Sequence, residues 1–80
     1  MAKRIPQAYR AVLHKQLRKL RTDEGLTQNQ VASRLGRLQS YVSKYELGEQ
    51  SLDMLEVREI CLALGTTLEQ FSRNLEKALK

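Results

Sequence analysis

The sequence predicts an all-α fold of five short helices, and three observations carry that expectation. Apolar residues recur at helical spacing in five separate runs along the 80 residues. Two of those runs open on complete helix-start signals, and several close on glycine. The four glycines and the single proline are too few, and too well placed at helix ends, to build a sheet from tight turns.

The first helix starts near Pro6, a residue suited to a first helical turn because no N–H is needed there, and runs until Gly25. Ile5, Tyr9, Leu13, Leu17 and Leu20 form its apolar stripe. The second begins at Thr27, whose hydroxyl can cap it while Gln30 reaches back from the third helical position and Leu26 staples onto Val31. Val31, Ala32 and Leu35 are its buried stripe, with Ala32 small where a crossing helix must approach closely. Gly36 stops it, since glycine enters the left-handed turn without steric cost. A new run follows at once. At about 100° per residue, Leu38, Val42 and Tyr45 fall on one side and are predicted to face inward. Gln39, Ser40, Ser43 and Lys44 project the other way, a polar set with one cation and no acid that can meet a nucleic acid. The fourth helix has Asp53 as cap, Glu56 at the third position, Leu52 stapled onto Val57, and Gly65 as its stop. The fifth runs from about Thr67, with Leu68, Phe71, Leu75 and Leu79 at helical spacing.

Composition sets bounds that agree with this. Hydrophobic residues make up 41% of the chain, enough for a small helical core in one domain, although Phe71 and three tyrosines are its only aromatics. The net charge of +5 is unevenly spread: residues 1–22 hold seven Lys or Arg and no acid, residues 23–46 three of each sign, and residues 47–80 four bases against six acids. Positive charge concentrated on the first helix and its leading arm points to an anionic partner, against the alternative of a solvated face that only confers solubility. The longest apolar run, Ile60 to Leu64, is far short of a membrane span, and no hydrophobic signal core follows the first four residues. The expectation is a cytoplasmic protein with no membrane partner. One cysteine permits no internal disulfide, and Cys61 lies on the stripe Val57, Ile60, Cys61, Leu64, which predicts a core residue rather than a redox-sensing thiol. One histidine and no Cys/His cluster give no metal site and no cofactor, and His14 is read as exposed on the basic first helix. Glu56 and Glu59 have no basic partner or pocket in view and read as solvated, so no enzyme activity is expected.

The stretch from Thr27 to Leu47 resembles the Cro and phage-repressor helix-turn-helix family, also called the xenobiotic-response-element type. Leu17, Leu20 and Arg21 fit the family's first-helix pattern, Gly25 to Gln28 its usual entry, and Ala32, Gly36, Val42 and Glu46 its marker positions. Ala63, Leu64 and Gly65 match the ending of its fourth helix, and Thr67, Leu68 and Phe71 the opening of its fifth. The likeness covers roughly residues 13 to 72. It implies a compact five-helix lambda-repressor-like DNA-binding domain, with the helix-turn-helix at the second and third helices and double-stranded DNA as partner.

It further implies a recognition helix from Gln39 to about Leu47 in the major groove. Gln39, Ser40, Ser43 and Lys44 are then base-contacting, Gln39 being suited to adenine N6 and N7. Tyr41, off to one side, either packs on a thymine methyl or fills the domain surface. Gln28 matches the position that binds phosphate through its amide and the helix N-terminus and often braces the first recognition-helix side chain, here Gln39. Arg37 stands where the family has an apolar residue, as a phosphate contact or a solvated substitution, with Leu38 taking over the packing. Arg21 and Glu46 match an ion pair that fixes the angle of the recognition helix. After Gly48 the chain carries Glu49 and Gln50 where relatives often place Lys or Arg, so phosphate contacts there are expected to be weaker.

Leu75 and Leu79 lie beyond the usual core and either cover the chain's own first helix or form a dimer seam. The seam is preferred, because operators of this family are usually two-fold symmetric and a homodimer sets its recognition helices about 34 Å apart. The expected function is a homodimeric transcriptional regulator, most simply a repressor. The alternatives are a DNA-binding antitoxin that also binds a toxin protein through its last helix, and a protein-interaction module without DNA binding.

Overall fold

Three of the helices begin on a side-chain cap and four end on a glycine turn, where local chemistry supplies backbone groups that a helix cannot satisfy itself. A computed structural model describes residues 4–80; Met1, Ala2 and Lys3 of the basic arm lie outside the described residues. Helix α1 spans Gln7–Asp23, α2 Gln28–Leu35, α3 Gln39–Glu46, α4 Met54–Ala63 and α5 Leu68–Leu79, and the described residues contain no strand. Both predicted capping boxes are present. Thr27 Oγ1 accepts from the Gln30 N–H at 3.1 Å while Gln30 Oε1 accepts from the Thr27 N–H at 2.8 Å. Asp53 Oδ1 accepts from the Glu56 N–H at 2.8 Å and Glu56 Oε1 from the Asp53 N–H at 3.1 Å. Helix α5 has the simpler form, with the Thr67 hydroxyl accepting from the Gln70 N–H at 3.1 Å. Pro6 is the N-cap of α1, and its carbonyl accepts from the Tyr9 N–H at 3.0 Å.

The first four helices end alike, in two backbone bonds folded back over a left-handed glycine. At the turn that matters most, the Gly36 N–H donates to Ser33 O at 3.2 Å and the Arg37 N–H to Ala32 O at 2.9 Å. Gly36 has φ +66°, a conformation that costs a residue with Cβ about 1–2 kcal/mol. Only Gly36, Arg37 and Leu38 separate α2 from α3, so this glycine sets the crossing of the two helices.

Helices α2 and α3 pack on each other, α1 packs on α3 and α5, and α4 packs on α2 and α5. All five contribute to one core: Leu17 from α1, Val31 and Ala32 from α2, Val42 and Tyr45 from α3, Val57, Ile60 and Cys61 from α4, with Leu64 and then Phe71 from α5. Leu13, Leu20, Leu26, Leu35, Leu52, Leu68 and Leu75 close over it from the sides. No described helix is long and apolar enough to cross a membrane.

Four side chains depart from the sequence expectation, each for a local reason. Leu38, predicted to face inward, is 78% exposed. It is the N-cap of α3 with extended backbone, so the helical angle that pairs it with Val42 and Tyr45 does not apply to it. It therefore takes over no packing from Arg37. Ile5 and Tyr9 are exposed because residues 4–10 are exposed throughout, ahead of the part of α1 that other helices cover. His14 is half-buried rather than exposed, with its ring against Gly48. At the far end, Leu75 packs against the core of its own chain, and Leu79 is half-buried.

Cys61 is fully buried, and burial pushes its thiol up to about 11. At pH 8 a thiol reagent should label the folded protein at least ~100-fold more slowly than the unfolded chain, because reaction has to wait for opening of the core. Labelling of native protein at the unfolded rate would contradict this packing.

Candidate nucleic-acid interface

Helix α3 has two sides of opposite character. Val42 and Tyr45 are buried on one, while Gln39, Ser40 and Lys44 are exposed and Ser43 half-exposed on the other. Lys44 is the one charged group on that outer face, and no acid accompanies it. Tyr45 anchors the helix, and desolvation by the core raises its phenol pKa.

The end of α3 is held by a single carboxylate. Glu46 Oε2 accepts from Arg21 Nε at 2.7 Å, and Glu46 Oε1 accepts from Arg21 Nη2 at 3.0 Å and from Gln28 Nε2 at 3.0 Å. Arg21 Nη1 also donates to Leu26 O at 2.8 Å, in the turn between α1 and α2. The side chains are 12% and 3% exposed, so this is a two-pronged ion pair largely shielded from solvent. Hydrogen bonding to Glu46 raises the Arg21 pKa above its usual value, outweighing the opposing effect of burial. Gln28 extends the chain of contacts outward, since its Oε1 accepts from Gln39 Nε2 at 3.3 Å.

Tyr41 and Arg37 turn the other way. Tyr41 Oη donates to Glu56 Oε2 on α4 at 2.9 Å, and its ring meets Tyr45 edge-on at 5.5 Å. Burial first, and then the hydrogen bond to Glu56, pushes the Tyr41 phenol up to about 12. The Arg37 guanidinium lies 4.6 Å from the centre of the Tyr41 ring, a cation–π contact. Tyr41 thus fills the surface between α3 and α4, apart from Gln39 and its neighbours, and Arg37 is stacked on it. Glu56, read from sequence as a capping and otherwise solvated residue, is the partner that fixes Tyr41. Arg34 makes a second tie that sequence did not reveal, donating through Nη1 to Ala63 O at 2.8 Å and so joining α2 to the end of α4. Arg34, Arg37, Tyr41, Glu56, Glu59 and Leu62 line a cleft of mixed charge there, unlike the acid-free face of α3.

The loop after α3 is also pinned. Gly48 has φ +80°, and a Cβ added there would meet His14 Cδ2 at 3.1 Å. Among the described residues, His14 Nδ1 and Tyr45 Oη are buried without a hydrogen-bond partner. Among the described residues, no three His, Cys, Asp or Glu side chains are grouped to hold a metal ion.

A family model described as a helix-turn-helix domain matches residues 13–73. No curated protein matches the chain significantly. Among solved structures, an XRE-family like protein from Pseudomonas syringae pv. tomato strain DC3000 is similar with 37% identity and a TM-score of 0.84, over 91% of this chain and 89% of that one. The restriction-modification controller protein C.AhdI from Aeromonas hydrophila aligns with 28% identity and a TM-score of 0.73, over 80% and 97% of the two chains. A hypothetical transcription factor, NHTF from Neisseria, aligns with 27% identity and a TM-score of 0.72, over 89% and 84%.

Removing one partner of the shielded pair leaves the other charge uncompensated, which costs about 3 kcal/mol. Glu46→Ala should therefore lower the melting midpoint by about 15 °C. Asp23→Ala, which breaks the exposed Lys19–Asp23 pair, should stay within about 0.5 kcal/mol of the parent. Equal midpoints for the two variants in a thermal melt would show that Arg21 and Glu46 do not brace the fold.

Proposed function

The chain belongs to the helix-turn-helix domain family of the Cro and xenobiotic-response-element type, and from that premise we propose that it is a homodimeric transcriptional regulator, most simply a repressor. It reads a two-fold symmetric operator through the major groove. One observation carries this reading: the exposed, acid-free face of α3 stands on a helix whose opposite side is locked into the core and whose end is held by Glu46. A groove reader needs such a rod, since base edges are discriminated only by groups held in place. The controller protein and the transcription factor among the similar structures support the same reading.

In the proposed complex Gln39, Ser40, Ser43 and Lys44 contact bases. Gln28, at the start of α2, contacts phosphate through the helix N-terminus and the amide N–H that it does not give to Glu46. Tyr41 and Arg37, engaged with α4, are assigned to packing. The basic first helix and arm supply the rest of the attraction to phosphate. The dimer seam is assigned to the C-terminal end of α5, chiefly Leu79, since Leu75 already serves its own core.

Binding to sequences selected from a random duplex pool tests this directly. Contacts to about eight phosphates per dimer predict a log–log salt slope near −7, and Lys44→Ala should weaken binding while leaving the melt unchanged. A slope near zero would remove phosphate binding from the proposal. Sedimentation at micromolar concentration should show a dimer, and a strict monomer both free and on DNA would defeat the two-fold reading.

A further inference from the structure

We propose that Glu46 is a positioning residue for base choice: through Gln28 it fixes which end of the Gln39 amide faces the DNA, and so selects adenine over guanine. The inference rests on the reading of Gln39 as a base-contacting residue and adds what directs it. A carboxylate only accepts hydrogen bonds, and both oxygens of Glu46 already accept from Arg21. Gln28 therefore has to turn its NH2 group toward Glu46, as it does at 3.0 Å, and its Oε1 outward. That oxygen in turn requires a donor, and Gln39 presents Nε2 to it at 3.3 Å. The acceptor-only end dictates the direction of the whole series. With Gln28 so turned, the contact open to Gln39 is one that it makes through its NH2 group.

The consequence lies at the exposed end. Gln39 keeps its Oε1 wholly free, together with one remaining N–H. That pair complements adenine, whose major-groove edge offers a donor at N6 and an acceptor at N7. Guanine offers two acceptors, O6 and N7, and needs two donors. A series running the other way would engage the Gln39 oxygen with Gln28 and leave both N–H groups outward, the arrangement that suits guanine. Direction along three side chains thus becomes a preference between two purines.

The test uses the full chain and the duplex selected from a random pool, with all four bases placed in turn at each position. Gln39→Ala identifies the position it reads as the one whose preference disappears. There the parent should favour adenine over guanine by about tenfold or more. Gln28→Leu costs Glu46 one hydrogen bond but leaves the Arg21–Glu46 pair in place, so it should melt well above Glu46→Ala, and the ratio at that one position should fall to within about twofold. Glu46→Ala, assayed below its lowered melting midpoint, removes the acceptor that faces Gln28 and should do the same, with preferences at other positions retained. A mere loss of rigidity would weaken all positions together and not move this single ratio. Persistence of the adenine preference in Gln28→Leu, or a parent that favours guanine, overturns the inference alone. A Gln39→Ala protein with no altered position overturns the base-reading role and the inference together.

Discussion

The Glu46 carboxylate is the constraint on which the rest of the arrangement depends. Carrying a charge out of water is costly unless it is paired and hydrogen-bonded, and Glu46 is supplied by Arg21 from α1 and Gln28 from α2 while itself belonging to α3. Satisfying it fixes three helices at once. This matters because α2 and α3 have eight residues each, too short to be stable helices alone. Their positions derive from the core they share and from this one carboxylate, and Arg21 extends the same hold to the intervening turn through Leu26 O.

A second set of contacts on the opposite flank completes the mounting. Tyr41 reaches Glu56, Arg37 stacks on Tyr41, and Arg34 reaches Ala63 O, so the side of the motif away from α1 is tied to α4. Glu56 serves two purposes with two oxygens, closing the cap of α4 with one and receiving Tyr41 with the other. Held at its end by Glu46, on its flank by Tyr41 and from beneath by Val42 and Tyr45, α3 has only the Gln39, Ser40, Ser43 and Lys44 side left open to a partner.

Most of the fold was legible in the sequence because its signals are local. The boxes at Thr27–Gln30 and Asp53–Glu56 and the glycine stops lie within a few residues of the ends they define, and the apolar stripes name the core directly. Leu38 was misread because periodicity was extended one residue past the helix it describes. Tyr41–Glu56, Arg34–Ala63 and His14–Gly48 were hidden for a different reason, since each joins residues 15 or more apart that meet only after the helices have packed. Arg21–Glu46 spans 25 residues and was expected only through family resemblance; spacing alone carries no trace of it. Of the candidate site, the outer face of α3 could be read from the helical angle, whereas the direction of the Gln28 and Gln39 amides required the carboxylate behind them.

The charge distribution explains why direction should matter so much here. Residues 1–22 carry seven basic groups and no acid, while the outer face of α3 carries Lys44 alone. In the proposed complex, attraction to phosphate is therefore largely separate from the surface that meets the bases. Such attraction is long-ranged, screened by salt and indifferent to sequence, so it gives affinity without discrimination. Apart from Lys44, discrimination falls to neutral hydroxyls and amides, whose interactions change sign when a donor is exchanged for an acceptor. A point charge tolerates rotation about its own axis; an amide does not. A reading face built from neutral groups gains selectivity only if their dipoles are held in one sense, and in this chain the nearest fixed reference for that sense is the acceptor-only carboxylate of Glu46.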